Sequence, residues 1–450
     1  MKLTVVGAGG IRMPLFVRSL LRRVARGTKI DTLAMSDIRA DRLAIMGGLT
    51  RHLVREAGDP FAVQVEPDLD KALAGANAVV TTIRPGFEEG RIADETICKE
   101  AGILGQETVG AGGYAMTGRS VPDLLHICRR TRAVADNALI LNFTNPAGMV
   151  TQALHDQGFH EVVGICDSAD NVKDYVALSY DVDVRRLRSR VFGLNHLSAT
   201  MQVWLDDEDI TAQLMDDDAF LDKWFGIFGR DLVRELGAFP NEYLYYYLLS
   251  AQAVPAVLAE PETRGSKTLR LTERFFAATK DPVLANEPAK LLAHHAACIA
   301  EREASYMDYA WKETDRGQRP DHHLAEGEGY AGVALDVLEA ATVQPAEIAL
   351  STPNRGAVEW LADHDVVEIT CRVDANGLTP LAPPRVPARL AALVNELKVF
   401  ETLTVMSLRH RSRRVALYAL ESHPLVGFHR TAMEVLDRFL AAHPALRVLQ

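Results

Sequence analysis

The feature that most constrains the fold is a short apolar run, residues 2–7, that ends in Gly7-Ala8-Gly9-Gly10 and passes at once into the helical pattern Pro14-Leu15-Phe16-Val17-Arg18-Ser19-Leu20-Leu21. Strand, tight turn and helix in this order open a Rossmann-type unit. The first glycine permits the turn, the second lets backbone approach a pyrophosphate, and the helix N-terminus favours the phosphate charge. Gly7 and Gly9 supply these two, while Arg12 stands where a third glycine would fall. Glycine turns after strands also occur in proteins that bind nothing, so context matters. Here the second strand candidate, Thr32-Leu33-Ala34-Met35-Ser36, ends at Asp37, whose carboxylate can accept from ribose hydroxyls and would repel a 2′-phosphate. Gly7, Gly9, Gly10 and Asp37 are therefore the expected cofactor-binding residues, with NAD favoured over NADP.

Further strand candidates at 78–82, 138–143 and 162–166 alternate with helical stretches at 40–56 and 118–135. This is the rhythm of a doubly wound parallel sheet. Beyond it come a strand-like 188–205, helical stretches within 215–300, and amphipathic helices at 326–340 and 386–422. The expected fold is α/β: a Rossmann-type NAD-binding domain over residues 1–166, then a mainly helical α+β domain over 167–450 for substrate, metal and oligomerisation. A chain of 450 residues, 48% hydrophobic, has ample core for both.

Asp and Glu outnumber Lys and Arg, 60 to 49, with no block of like charge, which argues for a small-molecule partner rather than nucleic acid or an anionic membrane. Neither a signal-peptide core nor an apolar run of membrane-spanning length is present, so a cytoplasmic protein is expected. Five scattered cysteines form no CxxC pair and argue against a disulfide framework or a structural zinc site.

Several motifs together resemble the NAD- and manganese-dependent glycosidases of glycoside hydrolase family 4, which includes 6-phospho-α- and 6-phospho-β-glucosidases. They are Gly105-Gln106-Glu107-Thr108, Asn142-Phe143-Thr144-Asn145-Pro146-Ala147-Gly148, Gly164-Ile165-Cys166-Asp167, Gly193-Leu194-Asn195-His196-Leu197 and Pro240-Asn241-Glu242-Tyr243-Leu244-Tyr245-Tyr246-Tyr247. The resemblance runs nearly end to end. Taken alone, Cys166 at a strand end reads as a buried core thiol and His196 as a structural histidine. The resemblance implies instead that Cys166 and His196 are the two protein ligands of a divalent metal, manganese by analogy, with positions left open for substrate. It implies substrate contacts at Asn145, Arg84 and Arg264. Asn145 could equally form an Asx turn before Pro146, and Arg84 a surface salt bridge.

Tyr243 matches the family's catalytic base, although the tyrosine cluster could also be an aromatic helix face in the core. A phenol needs a nearby cation to act as a base near neutrality, and the metal or Arg264 could supply one. Asp167 could protonate a departing oxygen or cap the helix beginning near Asp170. The implied chemistry is oxidation at sugar C3, loss of the C2 proton, elimination at C1, water addition and re-reduction, an exception to the two-carboxylate scheme.

Departures from the family pattern cluster at the pocket: Ser168-Ala169-Asp170 after Cys-Asp, Ser198-Ala199 after Asn-His-Leu, Pro85-Gly86-Phe87 after Arg84, and Gly118 before Arg119. They bear on the substrate, including its 6-phosphate, and leave the redox and metal parts intact. A 6-phospho-β-glucosidase is favoured. The α-anomer enzyme or a member acting on non-phosphorylated sugars, a lactate/malate-type 2-hydroxyacid dehydrogenase, and an inactive NAD-binding sensor are the alternatives. Family members are dimers or tetramers, which implies a homodimer or homotetramer.

Overall fold

The computed structural model describes residues 1–285, 287–312, 314, 319–320 and 329–449. Among these, thirteen strands join one mixed sheet. They are β1 Lys2–Val6, β2 Thr32–Ser36, β3 Ala62–Val65, β4 Ala78–Thr81, β5 Leu139–Asn142, β6 Val162–Gly164, β7 Leu187–Leu194, β8 Leu197–Leu205, β9 Glu208–Asp209, β10 Phe239–Pro240, β11 Ala346–Pro353, β12 Val366–Asp374 and β13 Gly377–Pro380. The N-terminal strands run in the order β3-β2-β1-β4-β5-β6, all parallel. That order, reversing direction of growth at β1, is the doubly wound arrangement. Beyond β6 the sheet continues through β11, β12, β7, β8 and β10, now antiparallel.

The seam between the two regimes is narrow. Gly164 of β6 pairs with Ser351 of β11, and a Cβ at Gly164 would come within 2.7 Å of both Ser351 Cβ and Thr151 Oγ1. Only glycine lets the strands approach there, and Cys166 follows two residues later.

Local sequence accounts for the opening unit. Proline in the first turn suits the helix Met13–Ala25, because its missing N–H would have no partner there. Met13, Phe16, Val17 and Leu20 form the face that the helix buries in the main core, each burial contributing about 1.5–3 kcal/mol. β2 and the helix Ala40–Glu56 fall where the sequence places them. The amphipathic stretch expected at 386–422 is a helical hairpin, Ala388–His410 and Arg413–Ser422, broken by Arg411 in the left-handed conformation. The helix expected over 326–340 runs Gly329–Thr342; positions 326–328 lie outside the described residues. Among the described residues no helix is long and apolar enough to cross a membrane.

Candidate active site at the strand ends

The parallel strands all end on one edge of the sheet, and the sequence-singled residues follow those ends: Gly7 after β1, Asp37 after β2, Arg84 after β4, Asn145 after β5 and Cys166 after β6. Ligand sites of open α/β sheets lie at this edge. A crevice of about 1760 Å³ begins there at Gly10 and reaches Arg84, Asn145, Cys166, Asp167, His196, Tyr243 and Arg264.

At the dinucleotide end, Gly7 adopts φ +97°, and a Cβ on it would meet the Thr82 carbonyl oxygen at 2.5 Å. The N–H groups of Gly7 and Ala8 both donate to the Ser36 carbonyl at 2.9 and 3.0 Å, tying the turn to β2. Asp37 accepts from the N–H of Gly9 at 2.8 Å and of Arg39 at 2.8 Å, so its carboxylate faces the glycine turn. A Cβ on Gly9 would lie 2.9 Å from that carboxylate. Arg12, in the place of the third glycine, reaches out of the turn to Asp167 at 3.3 Å and Glu303 at 3.4 Å. Asp167 therefore faces the crevice as the partner of Arg12, and the residue at the N-cap of the helix Asn171–Tyr180 is Asp170.

Deeper in, β7 and β8 form a hairpin whose two tip residues are Asn195 and His196. His196 takes φ +64°, a left-handed conformation that few non-glycine residues adopt. This aims its imidazole at Cys166, with Nε2 3.5 Å from Sγ. Both residues are 5% exposed. The second ring nitrogen, Nδ1, lies 2.6 Å from Thr108 Oγ1. Gln106 Oε1 takes up the Thr108 hydroxyl at 3.0 Å and the backbone N–H of Thr108 and Val109 at 2.6 and 2.8 Å. An Nδ1 proton donated to Thr108 leaves Nε2 as a free lone pair, the orientation that metal-bound histidines share.

The Tyr243 ring lies on the His196 imidazole, centroids 3.8 Å apart and planes within 6°. Asn241 fixes the start of this segment by accepting from the Tyr243 N–H at 3.0 Å and donating to the Ser168 carbonyl at 2.7 Å. Burial, with Glu242 beside it, pushes the Tyr243 phenol well above its ordinary value. Burial also pushes the Cys166 thiol up and the His196 imidazole down to about 4, so His196 is neutral near pH 7.

Charge is concentrated beside this pair. Glu107 is flanked by Arg84 at 3.1 Å and Arg91 at 3.0 Å. Burial works against its charge, yet Arg84 and Arg91 hold its carboxyl down to about 2. Arg84 is thus a half-buried crevice residue, not an exposed surface pair. Arg264 donates to Ser305 Oγ at 2.6 Å and to the Arg302 carbonyl at 2.7 Å, and its guanidinium lies 5.4 Å from the Tyr306 ring centroid. It faces Tyr306, whose ring lies 6.4 Å from that of Tyr243. Burial and neighbouring Arg12 push Arg302 down to about 9, and its Nε has no hydrogen-bond partner among the described residues.

The donor set fits a divalent cation. A thiol and an imidazole nitrogen only 3.5 Å apart, Cys166 Sγ and His196 Nε2, are close enough to share one ion. Among the described residues no cluster of three or more His, Cys, Asp or Glu is placed to hold a metal. Sequence reasoning gave no role to Thr108, Gln106 and Glu107, although their motif was visible. Arg302 carries no signal beyond that of an ordinary helical arginine, and Arg12 is visible only as the residue in the place of the third glycine.

Residues 2–182 match the family described as family 4 glycosyl hydrolase, and residues 191–426 match its C-terminal domain. A probable 6-phospho-beta-glucosidase of Bacillus subtilis is 29% identical, over 99% of this chain and 97% of that protein. A 6-phospho-alpha-glucosidase of Lacticaseibacillus paracasei is 25% identical over 98% and 96%. The 6-phospho-beta glucosidase of Thermotoga maritima, solved with manganese, NAD+ and glucose-6-phosphate, superposes with a TM-score of 0.80 at 25% identity over 98% of each chain.

Proposed function

We propose that this chain, which belongs to family 4 of the glycosyl hydrolases, cleaves 6-phosphoglucosides, β-linked ones first, using NAD and a divalent metal such as manganese. One observation carries the reading. Tyr243 lies flat on an imidazole whose free nitrogen faces a buried thiol, in a crevice that begins at the dinucleotide turn. A lactate/malate-type dehydrogenase has no use for that trio.

When bound, NAD would supply reversible hydride acceptance at sugar C3, and a cation held by Cys166 and His196 would supply positive charge to stabilise the anion formed on loss of the C2 proton. Tyr243 takes the C2 proton, which a neighbouring C3 carbonyl makes acidic. Burial, with Glu242 beside it, raises the Tyr243 phenol, and a cation held by Cys166 and His196 would supply the positive charge that a phenol base needs. Asp167, on the crevice wall beside Arg12, serves as the acid for the departing oxygen after taking up a proton from solvent. Asn145 and Arg84 orient the sugar ring from the ends of β5 and β4. Arg12, Arg84, Arg264 and Arg302 crowd one end of the crevice, and the unpartnered Nε of Arg302 supports a phosphate there. Gly7, Gly9, Gly10 and Asp37 hold the dinucleotide, so residues 1–166 serve the cofactor and 167–450 chiefly the substrate and metal. The stronger identity to the 6-phospho-β relative supports the β anomer. The enzyme works in the cytoplasm as a homodimer or homotetramer.

The test is hydrolysis of p-nitrophenyl glucoside 6-phosphates of both anomers, with unphosphorylated controls, with and without NAD+ and Mn2+. Cleavage is expected only with both cofactors, faster for the β anomer and lost without the phosphate. Hydrolysis that survives removal of both cofactors would refute the reading.

A further inference from the structure

We infer that Glu368 is a positioning residue for the cation site: its carboxylate clamps both flanks of the hairpin tip that carries His196. The inference rests on the reading of Cys166 and His196 as cation ligands. Glu368 lies on β12, directly opposite Gly193 of β7, and is 1% exposed. Its two oxygens have separate tasks. Oε1 accepts from Asn195 Nδ2 at 3.1 Å, and Oε2 accepts from Ser198 Oγ at 2.7 Å. The bonded residues bracket His196 on either side.

A carboxylate buried this completely in a central strand is unfavourable unless its bonds are satisfied. A purely apolar side chain would pack the same space without that cost. What the carboxylate adds is restraint of a turn that needs it. His196 holds a left-handed conformation, and Gly193 leaves no room for a side chain, since a Cβ would meet the Leu197 carbonyl oxygen at 2.2 Å. The other ties on this tip include Thr108 at the imidazole, the Tyr243 ring stacked on it, the Asn241 N–H donating to the Ser198 carbonyl at 2.9 Å, and a long contact from the Gly148 N–H to Asn195 Oδ1 at 3.5 Å. Without Glu368 the side chains of Asn195 and Ser198 lose their shared anchor, and the imidazole between them is held less firmly toward Cys166. Outer groups that orient a metal ligand in this way typically change metal affinity by about 10–100-fold when removed.

Cobalt(II) titration of the full-length protein tests this, because the thiolate-to-cobalt charge-transfer band reports Cys166 and the ligand-field bands report coordination geometry. In Glu368→Ala, cobalt affinity is expected to fall about 10–100-fold with altered ligand-field bands, while the NAD titration stays unchanged. Glu368→Gln, which keeps an acceptor and a donor against Asn195 and Ser198, is expected to restore most of the affinity. A glutamine variant as weak as the alanine one would assign the effect to charge and overturn the positioning role. If Glu368→Ala does not fold, Ser198→Ala removes one of the two bonds and is expected to weaken cobalt binding several-fold. Unchanged cobalt affinity and spectra in the folded variant would overturn the proposal. Cys166→Ser in the same titration separates the two levels: if it loses the charge-transfer band while Glu368→Ala matches the parent, only the positioning role fails. If Cys166→Ser also matches the parent, the cation-site reading itself falls.

Discussion

The two ends of the crevice are built differently. The dinucleotide end comes from one contiguous strand-turn-helix, with Asp37 added from the neighbouring strand. The proposed cation end gathers Thr108, Cys166, His196, Tyr243 and Glu368, from segments spread over most of the chain. A contiguous turn fails through its own backbone, whereas a gathered site fails when any one contributor moves. Arg12 joins the two, standing in the glycine turn and reaching Asp167.

Substitutions at the gathered end should therefore abolish chemistry and leave dinucleotide binding alone. Tyr243→Phe removes the proposed base, and a fall in kcat of about 10²–10⁴-fold is expected. Solvent deuterium should no longer enter C2 of the sugar, as read by NMR of the product, while NAD and cobalt titrations stay at parental values. Cys166→Ser should lower manganese-dependent kcat/KM by at least about 100-fold, with NAD affinity spared. A fully active variant would remove Cys166 from the site.

At the contiguous end the pattern should invert. Gly7→Ala places a methyl against the Thr82 carbonyl at a left-handed φ, and a stability loss of about 1–3 kcal/mol is expected from thermal or urea unfolding. NAD affinity should drop with it, and the cobalt spectrum should not change. Equal damage to both titrations would show that the two ends are not separable.

The smallest effect is a pH dependence in the charge cluster that borders both. Glu107 is held down to about 2 from an ordinary 4.5. Its contribution to stability is thus complete above about pH 4.5 and is lost as pH falls toward 2. Glu107→Gln should flatten the acid limb of the stability curve over that window. An unaltered acid limb would show that its arginine pairs add nothing net.

The same contrast governs how much could be read from sequence. Gly7, Gly9 and Asp37 announce themselves because their signals are local: an apolar run, a glycine turn, a carboxylate at the next strand end. The strand candidates at 32–36 and 78–82 followed from unbroken apolar pattern, since a parallel strand is buried on both faces. Cys166, His196 and Tyr243 are ordinary core residues by composition, and only the company of several motifs singled them out. Their convergence depends on β11 and β12 lying between β6 and β7, a long-range pairing that periodicity does not encode. Glu368 shows the limit most clearly. In Val366-Val367-Glu368-Ile369-Thr370 it interrupts an apolar strand, and nothing nearby in sequence reveals Asn195 and Ser198 as its partners.

One stoichiometry decides whether the dinucleotide is a reusable catalyst or a consumed substrate. The enzyme, charged with one equivalent of NAD+ and saturating Mn2+, would be given a large excess of p-nitrophenyl 6-phospho-β-glucoside while nitrophenol and NADH absorbance are followed together. Complete release of nitrophenol with no net NADH at the end is expected. Release without NAD+, or NADH accumulating in step with nitrophenol, would contradict it.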